Sequence, residues 1–199
     1  MSEFTPIRIL AIDPATGKSG YAILDVTFNP LHVKVVTRGT LDGEKLYRTR
    51  KQLAQNFDRS YCILDALEEY YRELMAVYQP DIIVSEGAFG YQHLAALISL
   101  TQVILILKRI AHSTIGRAVV IIPPTISKLS FAQEGHAGKP EMREAFLNCP
   151  YLDRGENPES ASEHEIDAIS HGIAYVNRDI LHTVVQNQKK KKQKKKKTT

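Results

Sequence analysis

Apolar residues fall along this chain in two rhythms. Short runs at 9–12, from Tyr21 onward, at 33–38, 81–86 and 118–122 are rich in Ile and Val and too brief for helices, so they predict strands. Gly17 and Gly20 put a tight turn between the first two runs, which therefore pair antiparallel. A turn at Asn29-Pro30 leads to the third, and residues 39–47 read as a loop. Longer stretches repeat at steps of three and four. Leu53, Phe57, Tyr61, Leu64, Leu67, Tyr71, Leu74 and Tyr78 make one continuous helical face, stopped by Pro80. Residues 94–110 are apolar on nearly every side, interrupted by Ser99, Thr101 and Gln102. That stretch falls short of the roughly 20 apolar residues of a membrane span, so it predicts a buried helix or one at a subunit interface.

Beyond Pro123-Pro124 the pattern weakens. Residues 125–140 are mixed, 141–147 form a short helix and 151–160 a loop. The last helix has a sharp start, because Ser162 and Glu165 stand three apart as a capping box. Ile166, Ile169 and Ile173 continue its apolar stripe, while His164, Asp167 and His171 share another face. The order of elements predicts an α/β fold: a mixed five-stranded sheet, made of a three-strand antiparallel meander plus parallel strands, flanked by helices.

Length and charge change this picture in one place. The 199 residues suit one domain with a sizeable core. The net charge of +4 is carried by the tail, where eight lysines lie between Lys189 and Lys197. Without them 18 basic residues face 22 acidic ones, a net of −4. The expected division is a folded domain over 1–185 and a disordered Lys-rich tail over 186–199 that attracts polyanions. Cys62 and Cys149 have no metal-binding spacing and read as reduced thiols of an intracellular protein; no secretory signal is evident.

Candidate chemistry sits at element ends. Asp13 closes the first strand, Glu86 the fourth, and His164 and Asp167 lie in the first turn of the last helix. Taken singly, each has a bland reading as a turn former, a loop acid or an exposed first-turn residue. Together they offer what hard divalent cations take, oxygen donors on rigid supports. Two such ions about 4 Å apart can flank a phosphodiester.

Three motifs carry a family resemblance from Arg8 to about Tyr175. Asp13-Pro14-Ala15-Thr16-Gly17-Lys18-Ser19-Gly20-Tyr21 is similar to Asp-Pro-Gly-x-x-x-x-Gly-Tyr, with Ala15 in place of a glycine. Gln79-Pro80-Asp81, followed by Glu86 and Phe89, resembles Gln-Pro-Asp-x-x-x-x-Glu-x-x-Phe, and His164-Glu165-Ile166-Asp167-Ala168-Ile169 resembles Asp/His-x-x-Asp-Ala-Leu. In this order and spacing the chain resembles the RuvC-type Holliday junction resolvases of the RNase H-like nuclease superfamily. The resemblance implies an RNase H-like fold. It implies that Asp13, Glu86, His164 and Asp167 ligate two Mg²⁺ ions, with Mn²⁺ as a substitute.

It further implies that Phe89 stacks on a base at the junction, against a reading of Phe89 as core. Lys128 and Lys139 are implied to touch scissile-strand phosphates or steady transition-state charge, against a reading as solvated surface. His171 has no counterpart in the motif and is left as a structural group or a support for a ligand. Helix 94–110 lies where the family builds its dimer interface. The implied activity is a dimeric, metal-dependent, structure-selective DNA endonuclease that resolves four-way junctions by paired nicks leaving 5′-phosphate ends. It would act inside the cell, in the cytoplasm of a bacterium or phage-infected host, with a nucleus or organelle as the alternative, and away from membranes. An RNase H-like nuclease for other branched DNA, flaps or RNA is the alternative. An actin-like ATPase needs a duplicated domain for which this chain is too short.

Overall fold

A computed structural model describes residues 5–28, 30–89 and 94–180. Asn29, Gly90, the expected tail boundary and the lysine run lie outside them. Six strands form one sheet, β1 (Ile7–Asp13), β2 (Lys18–Thr27), β3 (His32–Asp42), β4 (Ile82–Glu86), β5 (Val119–Ile122) and β6 (Leu152–Asp153). Their spatial order is β5-β4-β1-β2-β3-β6. β1, β2 and β3 are the expected antiparallel meander, and β4 and β5 extend it in parallel from β1. The expectation of five strands is corrected by β6, two residues of the supposed 151–160 loop that pair in parallel with Val33 and Lys34. Two residues are too few to show a period of two, so the pairing has no sequence signature.

β1 alternates strictly between two cores. Ile9 and Ala11 face a cluster built with α4 (Pro124–Ala132), α5 (Lys139–Asn148) and α6 (Glu163–Tyr175). Leu10 and Ile12 face a second cluster built with α2 (Arg59–Tyr78) and α3 (Leu94–Ile115). With both faces covered, the strand reads as an unbroken apolar run.

Several helix boundaries differ from the sequence reading. The long helix begins at Arg59, because Asp58 accepts the Tyr61 amide and caps it. Leu53–Gln55 is a separate 3-10 turn, and Phe57 stacks on Tyr61 outside the core. Of the eight predicted positions, Leu67, Tyr71 and Leu74 are buried. β3 runs on to Asp42, which accepts from the amides of Glu44 and Lys45 and starts α1 (Gly43–Thr49) in the supposed loop. α3 extends to Ile115. By length and composition alone it could cross a membrane, yet Val103, Leu107, Ile110 and Ala111 are buried against α2 and the sheet. The mixed segment after Pro124 is the helix α4, with proline in its first turn.

Candidate active site

Parallel pairing of β1 with β4 sets Ile12 beside Ser85, so both strands end at the same edge. Asp13 and Glu86 are therefore next-row neighbours at the carboxyl end of the sheet, where α/β folds gather their chemistry. The strand end under Asp13 is pinned from below. Ser19 donates its hydroxyl to the Asp13 carbonyl at 2.8 Å and accepts from the Ala15 amide. The hydroxyl of the fully buried Tyr71, on α2 and on the same side of the sheet, lies 2.7 Å from Ser19 Oγ and completes its set.

α6 delivers the remaining groups. Its first turn carries the predicted capping box, Ser162 with Glu165. Thr40 holds Ser162 Oγ at 2.6 Å, and Arg38 pairs with Glu165 at 3.1 Å while donating to the carbonyls of Arg154, Glu156 and Asn157. Glu165 is thus a capping and anchoring residue. Gly20 lets the helix start approach the sheet, since a Cβ there would stand 2.0 Å from the His164 carbonyl oxygen. Further along, a Cβ on Gly172 would meet Leu24 at 2.4 Å. The result is His164 Nδ1 at 3.1 Å from Asp13 Oδ2.

The electrostatics report a crowd of acids. Burial pushes the Glu86 carboxyl up to about 8, helped by the charges of Asp13 and Asp167, with Lys128 pulling the other way. Burial, then Asp13, raises Asp167 to about 6, again opposed by Lys128 and by His164. The hydrogen bond to Asp13 raises His164. Carboxyls driven this far from their ordinary range, in one pocket, need positive charge to ionise together.

The structure therefore brings Asp13, Glu86, His164, Asp167 and Lys128 into one neighbourhood. Lys139 is at its rim. It opens α5, pairs with Glu163 at 2.5 Å, and lines a groove with Lys18, Lys45, Arg143, His164 and Asp167. Phe89, three residues beyond Glu86, is 57% exposed, which removes the core reading. A larger cavity between the α1–α2 link and α3 contains Arg50, Arg72 and Arg109, but each is paired to an acid, Asp65, Glu68 or Glu69.

His171 is the residue whose position sequence reasoning undervalued. Its Nε2 forms a ligand-like trio with Asp13 and Glu86, all donor atoms within 4.8 Å of one another. Its signal was its place on α6, one turn beyond Asp167 on the same face. Oxygen donors from three acids, imidazole nitrogen and raised carboxyl pKa values together fit a divalent cation.

No family model matches the chain. The crossover junction endodeoxyribonuclease RuvC of Synechococcus sp. (strain CC9902) is 28% identical over 160 residues, 79% of this chain and 92% of that protein. RuvC of Hydrogenovibrio crunogenus is 28% identical over 171 residues, 84% of this chain and 86% of its own length. Among solved structures, Thermus thermophilus RuvC in complex with a Holliday junction substrate superposes with a TM-score of 0.68 at 18% identity, covering 85% of this chain and 93% of that one. In sequence this chain is similar to RuvC proteins over most of its length, and it shares the overall fold of the solved RuvC structure.

Proposed function

We propose that this protein is a metal-dependent, structure-selective DNA endonuclease that resolves four-way junctions by paired nicks leaving 5′-phosphate ends. The observation that carries the proposal is the convergence of Asp13, Glu86 and the first turn of α6 at one sheet edge. Asp13, Glu86, His164 and Asp167 would hold the ions, two Mg²⁺ with Mn²⁺ as substitute. Bound there, they supply an activated water and charge stabilisation at the leaving oxygen.

The chain's own groups do the rest. Lys128 acts electrostatically on both Glu86 and Asp167, so it offers positive charge where a scissile phosphate would sit. Lys18, Lys45, Lys139 and Arg143 along the groove hold neighbouring phosphates. Phe89, exposed beside the site, stacks on an unpaired base at the branch point. On α3, Leu94, Ile98 and Leu105 are 69%, 51% and 66% exposed and share a face by their spacing. A second copy covers that stripe, and two-fold symmetry presents two sites to opposing strands. The buried, unpaired Cys62 and Cys149 fit a reducing cell interior. The lysine tail adds non-specific grip. If all eight lysines met phosphates, its share of the log–log salt slope would be roughly −7 at most.

The test is cleavage of a mobile four-way junction beside Y-shaped, flap and RNA–DNA substrates, with and without Mg²⁺. Expected are paired nicks in the junction that need metal and vanish in Asp13→Asn. Equal cleavage of all four substrates would favour the broader branched-nucleic-acid nuclease. Full activity of Asp13→Asn would overturn the site.

A further inference from the structure

His171 is only 3% exposed and lies on α6, four residues beyond Asp167. Its two ring nitrogens have unequal surroundings. Nδ1 lies 2.6 Å from Ser127 Oγ on α4. Nε2 has no hydrogen-bond partner, and the nearest acid oxygen, Oε2 of Glu86, is 4.0 Å away. These distances assign the tautomer. The Ser127 hydroxyl has an acceptor of its own, the Pro123 carbonyl at 3.5 Å. Its oxygen is then free to accept the Nδ1 proton of His171. A proton on Nε2 would instead be buried without an acceptor, a costly arrangement.

The imidazole thus turns a bare lone pair toward two carboxylates. Lone pair against carboxylate is repulsive until a cation stands between them. Nε2, a carboxylate oxygen of Asp13 and one of Glu86 all lie within 4.8 Å of one another. Donors to one ion at about 2.1 Å span up to about 4.2 Å, so a small contraction closes the set. The Ser127 contact is the orienting bond that metal-ligating histidines characteristically make through their other nitrogen.

We propose that His171 donates Nε2 to the divalent ion held between Asp13 and Glu86, and that this nitrogen tilts the site toward Mn²⁺ over Mg²⁺. Imidazole is a poor donor to Mg²⁺, a hard ion that keeps to oxygen, whereas Mn²⁺, as a transition ion, takes nitrogen alongside oxygen. His164 supplies nitrogen separately, at the Asp13 edge that faces the groove. The inference rests on the reading of Asp13 and Glu86 as cation ligands.

The experiment uses the full chain without DNA. Mn²⁺ and Mg²⁺ are titrated calorimetrically into wild type, His171→Gln, Ser127→Ala and Asp13→Asn, and ¹⁴N modulation is read from the electron spin echo of bound Mn²⁺. His171→Gln is expected to weaken Mn²⁺ at least tenfold and Mg²⁺ less than twofold. Ser127→Ala, a smaller change, is expected to move Mn²⁺ affinity in the same direction. His164→Asp, which leaves His171 in place, is expected to retain ¹⁴N modulation that shifts to ¹⁵N when histidine is labelled. This arm holds even if His171→Gln fails to fold. Absence of modulation in His164→Asp, or an unchanged Mn²⁺/Mg²⁺ ratio in a folded His171→Gln, would overturn the inference. Asp13→Asn separates the two levels. If it abolishes binding while His171 variants change nothing, the cation site stands and the histidine is not a ligand. If it binds as wild type does, the site reading itself falls.

Discussion

The two faces of the sheet both carry large apolar cores, but they differ in how close they let the helices come. Against α2 and α3, the strands present Leu10, Ile12, Ile23 and Ile83 to Leu67, Leu74, Met75, Leu107 and Ile110, large side chains filling space. Against α6, large side chains such as Ile9, Leu24, Ile166, Ile169 and Ile173 are joined by small residues that let the helix come close. Ala11, Ala22, Ala168, Gly172 and Ala174 are buried there, with Ser170 and His171 among them. Large residues maximise apolar area removed from water, and with it stability. Small ones bring backbone close to backbone, so a helix start can hold His164 at hydrogen-bond distance from Asp13. Both faces hold the molecule together; the α6 face also holds ionisable groups where solvation alone would not keep them. From the α2 face, the buried Tyr71 hydroxyl supports Ser19, which in turn holds the Asp13 backbone carbonyl.

This contrast can be broken at chosen points. The largest combined effect is expected from Gly20→Ala. The new Cβ would fall 2.0 Å from the His164 carbonyl, so α6 must retreat. Overpacking of this kind costs about 1–3 kcal/mol or more, and a displacement near 1 Å at reacting groups costs about 100-fold in rate. Thermal unfolding and junction cleavage should both show the loss. Leu67→Ala, on the other face, should cost about 2–5 kcal/mol of stability. Its specific activity, measured well below its melting temperature, should stay near wild type. A comparable activity loss in both variants would erase the distinction between the faces.

Glu86 sharpens the same point through pH. Its carboxyl is raised from 4.5 to about 8, so above its ordinary range the folded chain binds more protons than the unfolded one. Stability must then fall as pH rises through that interval. His171, lowered to about 4 by burial, works in the opposite sense, but its contribution is complete by about 6.5. Asp167 has also finished near 6, and His164, raised by Asp13, acts in the same direction as Glu86. With a chelator present, the melting temperature should therefore drop between pH 6.5 and 8. Glu86→Gln should flatten most of that drop, at roughly 2–4 °C for each kcal/mol regained, while abolishing cleavage. A slope unchanged in Glu86→Gln would mean another group carries it. The smallest effect is expected for Tyr71→Phe, about 1 kcal/mol for one buried hydrogen bond, with a modest fall in activity through the loosened strand end. An activity loss as large as that of Gly20→Ala would make Tyr71 part of the site.

What the sequence determined by itself is local. Apolar runs too short for helices became β1, β2, β4 and β5, and Ser162 with Glu165 formed the capping box it spells. Asp13, Glu86, His164 and Asp167 could be singled out as candidates because each lies at or near an element end, and element ends are written in local composition. Tertiary structure decided what depends on neighbours remote in the chain. β6 exists because β3 offers it a free edge, and Phe89 is exposed because nothing described covers it. The helical period through Leu53 and Phe57 was overruled by one capping acid, Asp58. His171 shares the face of Asp167 in sequence, but only the closeness of α6 to β1 and β4, granted by Gly20 and Gly172, brings its bare nitrogen toward the acids. A one-dimensional pattern encodes which face a residue takes on its own element; how near that face comes to another element is set by side-chain volumes at contacts far apart in the chain.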